Sequence, residues 1–355
     1  MNFIMTRKIS YSQALNEALD MSLARDPNVF VIGLGAPDAA GVFGSTKGLV
    51  DKYGPKRIMD MPVSENAMTG MILGAAITGM RPIMTHIRLE FAMLTMDQIA
   101  NQAAKWHYMF GGQAAAPMVI RMVVGRGWGQ GAQHSQSLHS WFAHVPGLKV
   151  ILPSTPYDAK GMLMSAIRDN NPVMCIEHRW LYNIFGEVPE EEYYVPLSHP
   201  NLLRQGKDVT IVATSYMTLE AVKAIEMLKQ DGISADLIDL RVINPFDETI
   251  ILESVKRTGR LLVLDTGCYN GSFAGEVISR VAESSFKYLK KPPVRIALPD
   301  LPTPTTRALA NYYYPLPHNI ATAVYKLLDK EPRPEPEISP TDYLDVPDSS
   351  FKGPF

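Results

Sequence analysis

Apolar runs alternate with amphipathic segments along most of the chain. The short runs NVFVIG, PMVIRMVVG and PVMCIEH indicate buried strands, since a strand covered on both faces is apolar throughout. Segments with helical spacing lie between them, and ALNEALDMSLARD follows Ser10 and Gln13, which have capping-box spacing. Strands that alternate with helices predict a doubly wound α/β fold with a mostly parallel sheet.

Three further segments carry recognisable helix signals. ENAMTGMILGAAITG, residues 65–79, is apolar on nearly every face and predicts a buried helix. MDQIANQAAKWHYMF predicts a helix that ends at Gly111 and Gly112. Thr155 as cap, with Pro156 at the first position and Asp158 in the first turn, predicts a third.

The alternation stops in the charged, proline-bearing stretch before Gly206 and then resumes. We therefore predict a first domain over residues 1–195, a linker over 196–207 and a smaller α/β domain over 208–330. Residues 331–355 form a proline-rich tail that cannot build a core alone.

Composition narrows the class of protein. A chain of 355 residues with 46% hydrophobic content suits two globular domains, and a net charge of −2 argues against nucleic acid as the main partner. There is no run of 18 apolar residues and no signal-peptide pattern, so no membrane span is expected. Cys175 and Cys268 are far apart in apolar surroundings, which predicts reduced, structural thiols and a cytoplasmic protein.

Two glycine motifs follow predicted strands. Gly33 and Gly35 begin a dinucleotide-like fingerprint, but Asp38 stands where its third glycine is needed, which argues against a Rossmann dehydrogenase. GRGWGQG has no Walker-type lysine and is no phosphate loop by itself. Its glycines still permit a close approach of backbone to a ligand or a neighbouring chain.

Histidines 134, 139 and 144 are spaced by five residues, which turns their side chains away from one another on a helix and argues against a zinc site. His134 follows the glycines in a loop and is the candidate acid or base, although ordinary packing remains an alternative. We expect His139 to be a solvated helix residue. His144 lies at a helix end, where an imidazole can cap carbonyls.

A carboxylate and a helix stop are the other candidates. Glu65 begins the apolar helix, where it is either a partner of the helix dipole or a working group. AIRDNNPV, residues 166–173, ends a helix with carbonyls that could hold a cation, although a plain C-terminal turn is the default interpretation.

Four long segments resemble the β subunit of the thiamine-diphosphate-dependent 2-oxoacid dehydrogenases, the decarboxylating component of pyruvate, branched-chain 2-oxoacid and acetoin complexes. They are DMPVSENAMTGMILGAAITGMRPI, DQIANQAAKWHYMFGG, the stretch from GAQHSQSLHSWF to RDNNPV, and GKDVTIVAT with DLIDLRVINPFDETIILESVKRTGRLLVLD. The resemblance covers roughly residues 7–328. It implies a pyrimidine-binding domain with a doubly wound parallel sheet, followed by a smaller transketolase-type C-terminal α/β domain.

The resemblance also implies site residues. Glu65 matches the glutamate that shares a proton with the cofactor's aminopyrimidine ring and so promotes removal of the thiazolium proton. Phe91 matches the aromatic that packs on the pyrimidine, with backbone near Val63 completing the pocket. His134 matches the histidine of the substrate channel. A structural monovalent cation, such as K⁺, is implied mainly through backbone carbonyls of Met118, Ala166, Asp169 and Asn171.

The family holds the cofactor's diphosphate and Mg²⁺ on a Gly-Asp-Gly motif, which this chain lacks. In the family the α subunit supplies that half of the site. The resemblance therefore implies an α2β2 heterotetramer with thiamine diphosphate at each α–β interface and Mg²⁺ held by the α subunit. The acyl acceptor in the family is a lipoyl-bearing acyltransferase, and another acceptor stays open for this chain.

The chain departs from the family pattern near the expected substrate side. Arg88 and Glu90 precede Phe91 where typical members carry apolar or small polar residues, and Arg126 and Trp128 enter a loop that is usually bland. These changes suggest a polar or anionic 2-oxoacid, with Arg88 or Arg126 as its charge partner.

Two other functions stay open at this point. A split transketolase-like subunit would make or transfer C–C bonds without a lipoyl partner. A non-catalytic scaffold subunit would keep the fold alone, although it would not need Glu65, Phe91 and His134 together.

Overall fold

The structure is a computed structural model, and it describes residues 6–127, 129–336 and 346–347. The chain forms two compact units, and each contains a mainly parallel sheet; a two-stranded antiparallel sheet also lies in the first unit. The first contains residues 6–125 and 141–197, and the second contains residues 126–140 and those from 198 onward. Both are α/β, so the predicted fold class is confirmed.

The strands alternate with the helices through most of the chain. In chain order, the strands are β1 (Thr6–Ser10), β2 (Val29–Gly33), β3 (Ile58–Met59), β4 (Arg81–His86), β5 (Val119–Val124), β6 (Lys149–Ile151), β7 (Val173–His178), β8 (Phe185–Pro189), β9 (Asn201–Arg204), β10 (Val209–Ala213), β11 (Ala235–Asp239), β12 (Val242–Asn244), β13 (Leu261–Cys268) and β14 (Val294–Leu298). The α-helices are α1 (Tyr11–Arg25), α2 (Leu49–Tyr53), α3 (Glu65–Ile77), α4 (Ala104–Met109), α5 (Gly131–His134), α6 (His139–Ala143), α7 (Pro156–Arg168), α8 (Tyr216–Lys229), α9 (Thr249–Thr258), α10 (Phe273–Ser285), α11 (Arg307–Tyr313) and α12 (Pro317–Leu327).

The main sheet of the first unit is parallel, with the order β6-β7-β5-β4-β2-β3. The chain leaves β2 toward β3 on one side and returns as β4 on the other. The strand order therefore changes direction between β2 and β4. In open α/β sheets, ligands bind outside the carboxyl ends of the strands at such a switch point.

The predicted capping signals are present where the sequence put them. The Ser10 side chain accepts a hydrogen bond from the Gln13 amide (3.2 Å), and the Gln13 side chain accepts one from the Ser10 amide (2.8 Å). The Thr155 hydroxyl accepts a hydrogen bond from the Asp158 amide (3.0 Å), and Pro156 opens the helix. These caps satisfy helix N–H groups that have no intrahelical partner, so α1 and α7 begin as predicted.

Two predicted helices differ in detail. The helix at 65–77 was expected to be buried all round, but it exposes one side, on which Met71 and Ile77 lie. The helix expected from residue 96 is a π-helix, Asp97–Ala103, that continues into α4. It ends before Gly111 and Gly112, both at positive φ, as predicted.

The second unit is built on a sheet of order β14-β13-β10-β11-β9, in which β9 alone of the described strands runs antiparallel. Its core packs β10, β11 and β13 against α8 and α12, with Ile211, Leu264 and Val324 fully buried. β9 lies inside the segment 196–207 that the sequence predicted as a linker. The chain passes between units in that segment, at residues 197–198.

Two further predictions concerned the burial of the cysteines and the absence of a membrane-spanning helix. Both cysteines are free; Cys175 is buried as expected, whereas Cys268 is exposed, contrary to the expected structural burial. Within the described residues, no helix has the length and apolar character needed to cross a membrane. The predicted tail falls almost wholly outside the described residues after position 336.

Candidate functional site

The predicted cofactor residues of the first unit follow the carboxyl ends of its parallel strands. Glu65 comes after β3, and Phe91 comes after β4. Since these ends share one edge of the sheet, and β2 and β4 flank the switch point, the sequence places both residues at the edge where a ligand is expected.

Glu65 is the first residue of α3, and its side chain is buried, with the residue only 7% exposed. Its N-cap, Ser64, makes no side-chain cap hydrogen bond. The described part of the chain gives the Glu65 carboxylate no hydrogen bond or ion pair. The residue is mostly buried while its carboxylate stays accessible and without a protein partner, so its position suits a ligand that shares a proton with it.

The segment before Glu65 is held open at the surface. Val63 is 76% exposed, although an apolar side chain gains by burial. The Asp60 carboxylate accepts hydrogen bonds from the amides of Gly35 (3.0 Å) and Met61 (2.9 Å), which ties the loop after β2 to the segment after β3. These bonds hold the beginning of the segment after β3, and the Val63 side chain further along it is exposed.

Phe91 lies in a short 3₁₀ helix, Leu89–Thr95, and is half-buried. Its amide bonds back to the Arg88 carbonyl (3.3 Å). The ring is therefore carried by a tight turn directly after β4.

Arg88 is almost fully buried and stacks on Phe43, with 5.3 Å between its guanidinium carbon and the ring centroid. Arg179, which follows β7, stacks on the same ring at 4.6 Å. Burial lowers the pKa of Arg88 to about 10, against the opposing effect of Glu90. Arg88 stays charged at neutral pH, and the two guanidinium groups concentrate positive charge around Phe43.

A buried ion pair lies beneath this cluster. The guanidinium of Arg121 on β5 donates to both carboxylate oxygens of Glu177 on β7 (2.6 and 2.9 Å) and to the Ser45 hydroxyl (3.0 Å). Tyr182 also donates to Glu177. Because Ser45 is two residues from Phe43, the pair anchors the loop that carries this ring. Sequence reasoning missed it, although single charges of opposite sign interrupt two apolar strand runs.

The four residues implied for a monovalent cation gather around the end of α7. The Asp169 amide donates to the Ala166 carbonyl (3.2 Å), the Asp169 carboxylate accepts from the Asn171 amide (2.9 Å), and the Met118 carbonyl accepts from Val173 (3.0 Å). Carbonyls at a helix C-terminus favour a cation, so the oxygen donors fit one.

Two positively charged side chains already interact with the C-terminal end of α7. Arg81 donates to the carbonyls of Ile167 and Asp169 (3.0 Å each), and Lys149 pairs with the Asp169 carboxylate. A bound metal ion would therefore share these oxygens with side-chain cations. Among the described residues, no group of His, Cys, Asp and Glu forms a metal site.

The glycine-rich loop belongs to the second unit, although it runs between β5 and β6 of the first. Gly127, Gly129 and Gly131 all have positive φ, which explains the alternating glycines. A Cβ on Gly131 would lie 3.0 Å from the Thr305 hydroxyl. Arg126 is buried and stacks on Tyr314 at 3.7 Å. Trp128 lies outside the described residues.

The three histidines have three different environments. His134 ends α5 and is half-buried. His139 was expected to be solvated, which is wrong: it is fully buried, with its Nε2 2.9 Å from Oδ1 of Asp265. His144 follows α6 and is exposed, and within the described chain it makes no hydrogen bond, so the expected cap is absent. Burial of His139 depends on a residue far along the chain, which spacing alone cannot reveal.

Comparison with known proteins identifies the class to which these two units belong. Residues 7–184 match the transketolase pyrimidine-binding domain, and residues 199–320 match the transketolase C-terminal domain. A solved structure of a split-gene transketolase, an inactive β4 tetramer, has the same fold, with a TM-score of 0.74 and 22% identity over 90% of this chain and 98% of that one.

Closer relatives define the family. The chain is 45% identical to the β subunit of acetoin:2,6-dichlorophenolindophenol oxidoreductase from Cupriavidus necator, over 91% of this chain and 98% of the relative. It is 40% identical to the pyruvate dehydrogenase E1 component β subunit of Porphyra purpurea, over 91% and 97%. The chain belongs to this family of E1 β subunits with transketolase-type domains. Family membership implies thiamine diphosphate as cofactor and an α subunit as partner.

Proposed function

We propose that this chain, assembled with its α subunit, decarboxylates a 2-oxoacid and passes the acyl group to a lipoyl carrier on an acyltransferase. The observation that carries the proposal is Glu65, a mostly buried residue whose carboxylate has no hydrogen-bond or ion-pair partner in the described chain, at the ligand edge of a pyrimidine-binding domain. The family likeness favours this function over a split transketolase or a scaffold.

Thiamine diphosphate, when bound, would supply a nucleophilic carbon for the 2-oxo group and a cationic ring that can accept the electron pair left by decarboxylation. Glu65 would hold a proton against the aminopyrimidine nitrogen, because a carboxyl group at this place can share it. Phe91 would pack on the pyrimidine face, beside backbone near Val63. His134, half-buried in its loop, would donate or accept a proton at the substrate.

We propose an α2β2 assembly in which the α subunit holds the diphosphate and Mg²⁺. Exposed apolar side chains on the first unit support a large contact there: Val63, Leu94, Tyr108, Met109 and Phe110 are all exposed. We also propose a monovalent cation, such as K⁺, at the carbonyls of Met118, Ala166, Asp169 and Asn171. The two free cysteines support a cytoplasmic location.

The substrate proposal is a polar or anionic 2-oxoacid, with Arg88 or Arg126 as the charge partner. The cationic cluster at Phe43 supports Arg88, because its two guanidinium groups exceed the one negative charge of nearby Glu90. A second candidate is the oxidation of acetoin, which the names of the 45% and 40% identical relatives from Cupriavidus necator and Bacillus subtilis favour.

The test is Glu65→Gln in the reconstituted α–β complex, assayed with a panel of 2-oxoacids and acetoin. We expect turnover to fall by about two to three orders of magnitude, since a glutamine cannot supply the proton. The matched control is Asp51→Asn, which changes an exposed carboxylate in the first turn of α2. Unchanged turnover in Glu65→Gln would reject the catalytic proposal in favour of a scaffold. Transfer to free lipoamide separates the dehydrogenase from a transketolase-like activity.

A further inference from the structure

The loop of residues 126–140 is fastened to the second unit at its beginning and in its middle. At the beginning, the Arg126 guanidinium stacks on Tyr314 (3.7 Å) and lies 5.3 Å from the centroid of the Tyr216 ring. In the middle, Gly131 packs closely against Thr305, because a Cβ on it would lie 3.0 Å from the threonine hydroxyl, and Gly129 lies beside the same side chain. The loop that carries His134 thus packs within the second unit.

A buried pair fastens the other end. The His139 Nε2 lies 2.9 Å from the Asp265 Oδ1, and both side chains are fully buried. At this distance the imidazole and the carboxylate make a direct polar contact that water does not screen. Asp265 itself is rigid, because its carboxylate accepts the amides of Gly267 (2.7 Å) and Ala274 (3.0 Å).

The Asp265 carboxylate is stabilised in its negatively charged form. Burial raises the pKa of Asp265, but His139 and the two amide donors outweigh burial and hold the pKa below its ordinary value. Ala274 is near the start of α10, whose N-terminal dipole adds to the stabilisation. An ionised carboxylate therefore faces His139 at neutral pH.

Ser137 joins His139 to the same strand. Its hydroxyl lies 3.1 Å from the other ring nitrogen of His139, Nδ1, and 2.9 Å from the Thr266 hydroxyl. Gly267 leaves the room that this contact needs, because a Cβ there would lie 3.3 Å from the Ser137 carbonyl and 3.4 Å from the His139 ring. The side chains of Ser137 and His139 thus hold the residues just after His134 on the end of β13.

We propose that His139 and Asp265 are positioning residues, which fix the loop so that His134 stands where the reaction needs it. The functional half of this inference rests on the proposed function; the anchoring half does not. His134 is five residues from His139 in a loop of small and polar residues, so its place depends on these fastenings rather than on a long helix. A displacement of about 1 Å can cost a catalytic group about 100-fold in rate.

The experiment compares His139→Ala with His139→Gln and, as matched control, His144→Ala at the exposed histidine five residues on. Amide hydrogen exchange of peptides from residues 129–140 is measured on the chain as purified with its α subunit. We expect faster exchange confined to these peptides in His139→Ala, partial recovery in His139→Gln, whose side-chain amide keeps a polar contact with Asp265, and no change in His144→Ala.

Kinetics of the same complexes test the functional half. We expect kcat to fall by about 10- to 100-fold in His139→Ala with the KM for the 2-oxoacid unchanged, and to recover in part in His139→Gln. Asp265→Asn, which keeps the size of the side chain, should reproduce the effect if His139→Ala fails to fold.

Unchanged exchange, or faster exchange throughout the second unit, would overturn the anchoring. A local rise in exchange with unchanged kcat would overturn the positioning role. A wild-type complex inactive on every substrate would refute the proposed function and leave the anchoring to be decided by exchange.

Discussion

Arg121 and Glu177 form a two-point ion pair across neighbouring strands, and neither side chain has any exposed surface. Burial lowers the pKa of Arg121, but the Glu177 carboxylate outweighs burial and raises it, so the pair is ionised. Since Arg121 also holds Ser45, this pair connects the core of the first unit to the loop that carries Phe43.

Removing one member of this pair should be more damaging than removing both. Glu177→Gln leaves a buried guanidinium without its counter-charge, and we expect a loss of about 3–5 kcal/mol in the free energy of unfolding. Arg121→Met combined with Glu177→Leu should recover most of it. Urea denaturation measures both. A double variant no more stable than Glu177→Gln would contradict this account.

From the buried side chain of His86 we predict that the free energy of unfolding depends on pH. Burial lowers its pKa from 6.5 to about 4, because the charged ring is poorly solvated at the end of β4. Between these values the unfolded chain binds a proton that the folded chain does not, so stability falls as the pH decreases from 6.5 to 4. The shift corresponds to about 3 kcal/mol.

The measurement is the difference in unfolding free energy between wild type and His86→Phe at pH 7 and at pH 4.5. The variant should lose less stability on acidification, since it has no proton to bind at this site. His144→Phe, at an exposed histidine, is the control and should follow wild type. Parallel acid profiles for wild type and His86→Phe would count against a buried neutral ring.

Alanine substitutions at Gly147 and Gly79 distinguish a steric clash from backbone strain. Both have φ near +100°, but a Cβ on Gly147 would lie 1.9 Å from the Ala104 carbonyl oxygen, whereas nothing lies within 4 Å of one on Gly79. Gly79→Ala should cost about 1–2 kcal/mol from strain alone. Gly147→Ala should cost at least about 2 kcal/mol more, because backbone must shift. Equal midpoints in thermal unfolding would rule out the clash.

Arg88 predicts a change in substrate preference. Arg88→Met keeps a long apolar side chain over Phe43 but removes the charge, so the reconstituted complex should lose kcat/KM for anionic 2-oxoacids by about 10-fold or more. The kcat/KM for 2-oxoacids with uncharged side chains should change little. Arg126→Glu gives the parallel test for the second arginine. A uniform loss over the whole panel would show that these arginines only support the fold.

Local signals in the sequence predicted much of the fold. The caps at Ser10 and Thr155 and the glycine stop after α4 depend on residues within one turn, so their patterns can be read directly. The π-helix before α4 was not predictable in this way, because apolar spacing in a short segment does not distinguish the two helix types.

The site was less predictable because its contacts join distant residues. Glu65 is a candidate because it begins an apolar helix and because it matches the family motif, and its role stays a prediction. His139 was placed in solvent because its partner, Asp265, lies 126 positions later and reads as part of an apolar strand. Such a partnership becomes visible only when the strand order is known.

The chain crosses from one unit to the other three times, since residues 126–140 leave the first unit and return to it. No single cut therefore separates the halves as self-sufficient modules. A fragment ending at residue 197 would carry this loop without Asp265, Thr305 and Tyr314, against which it folds. A chimera that exchanges the halves between relatives must exchange the loop together with the C-terminal half, as a graft between β5 and β6.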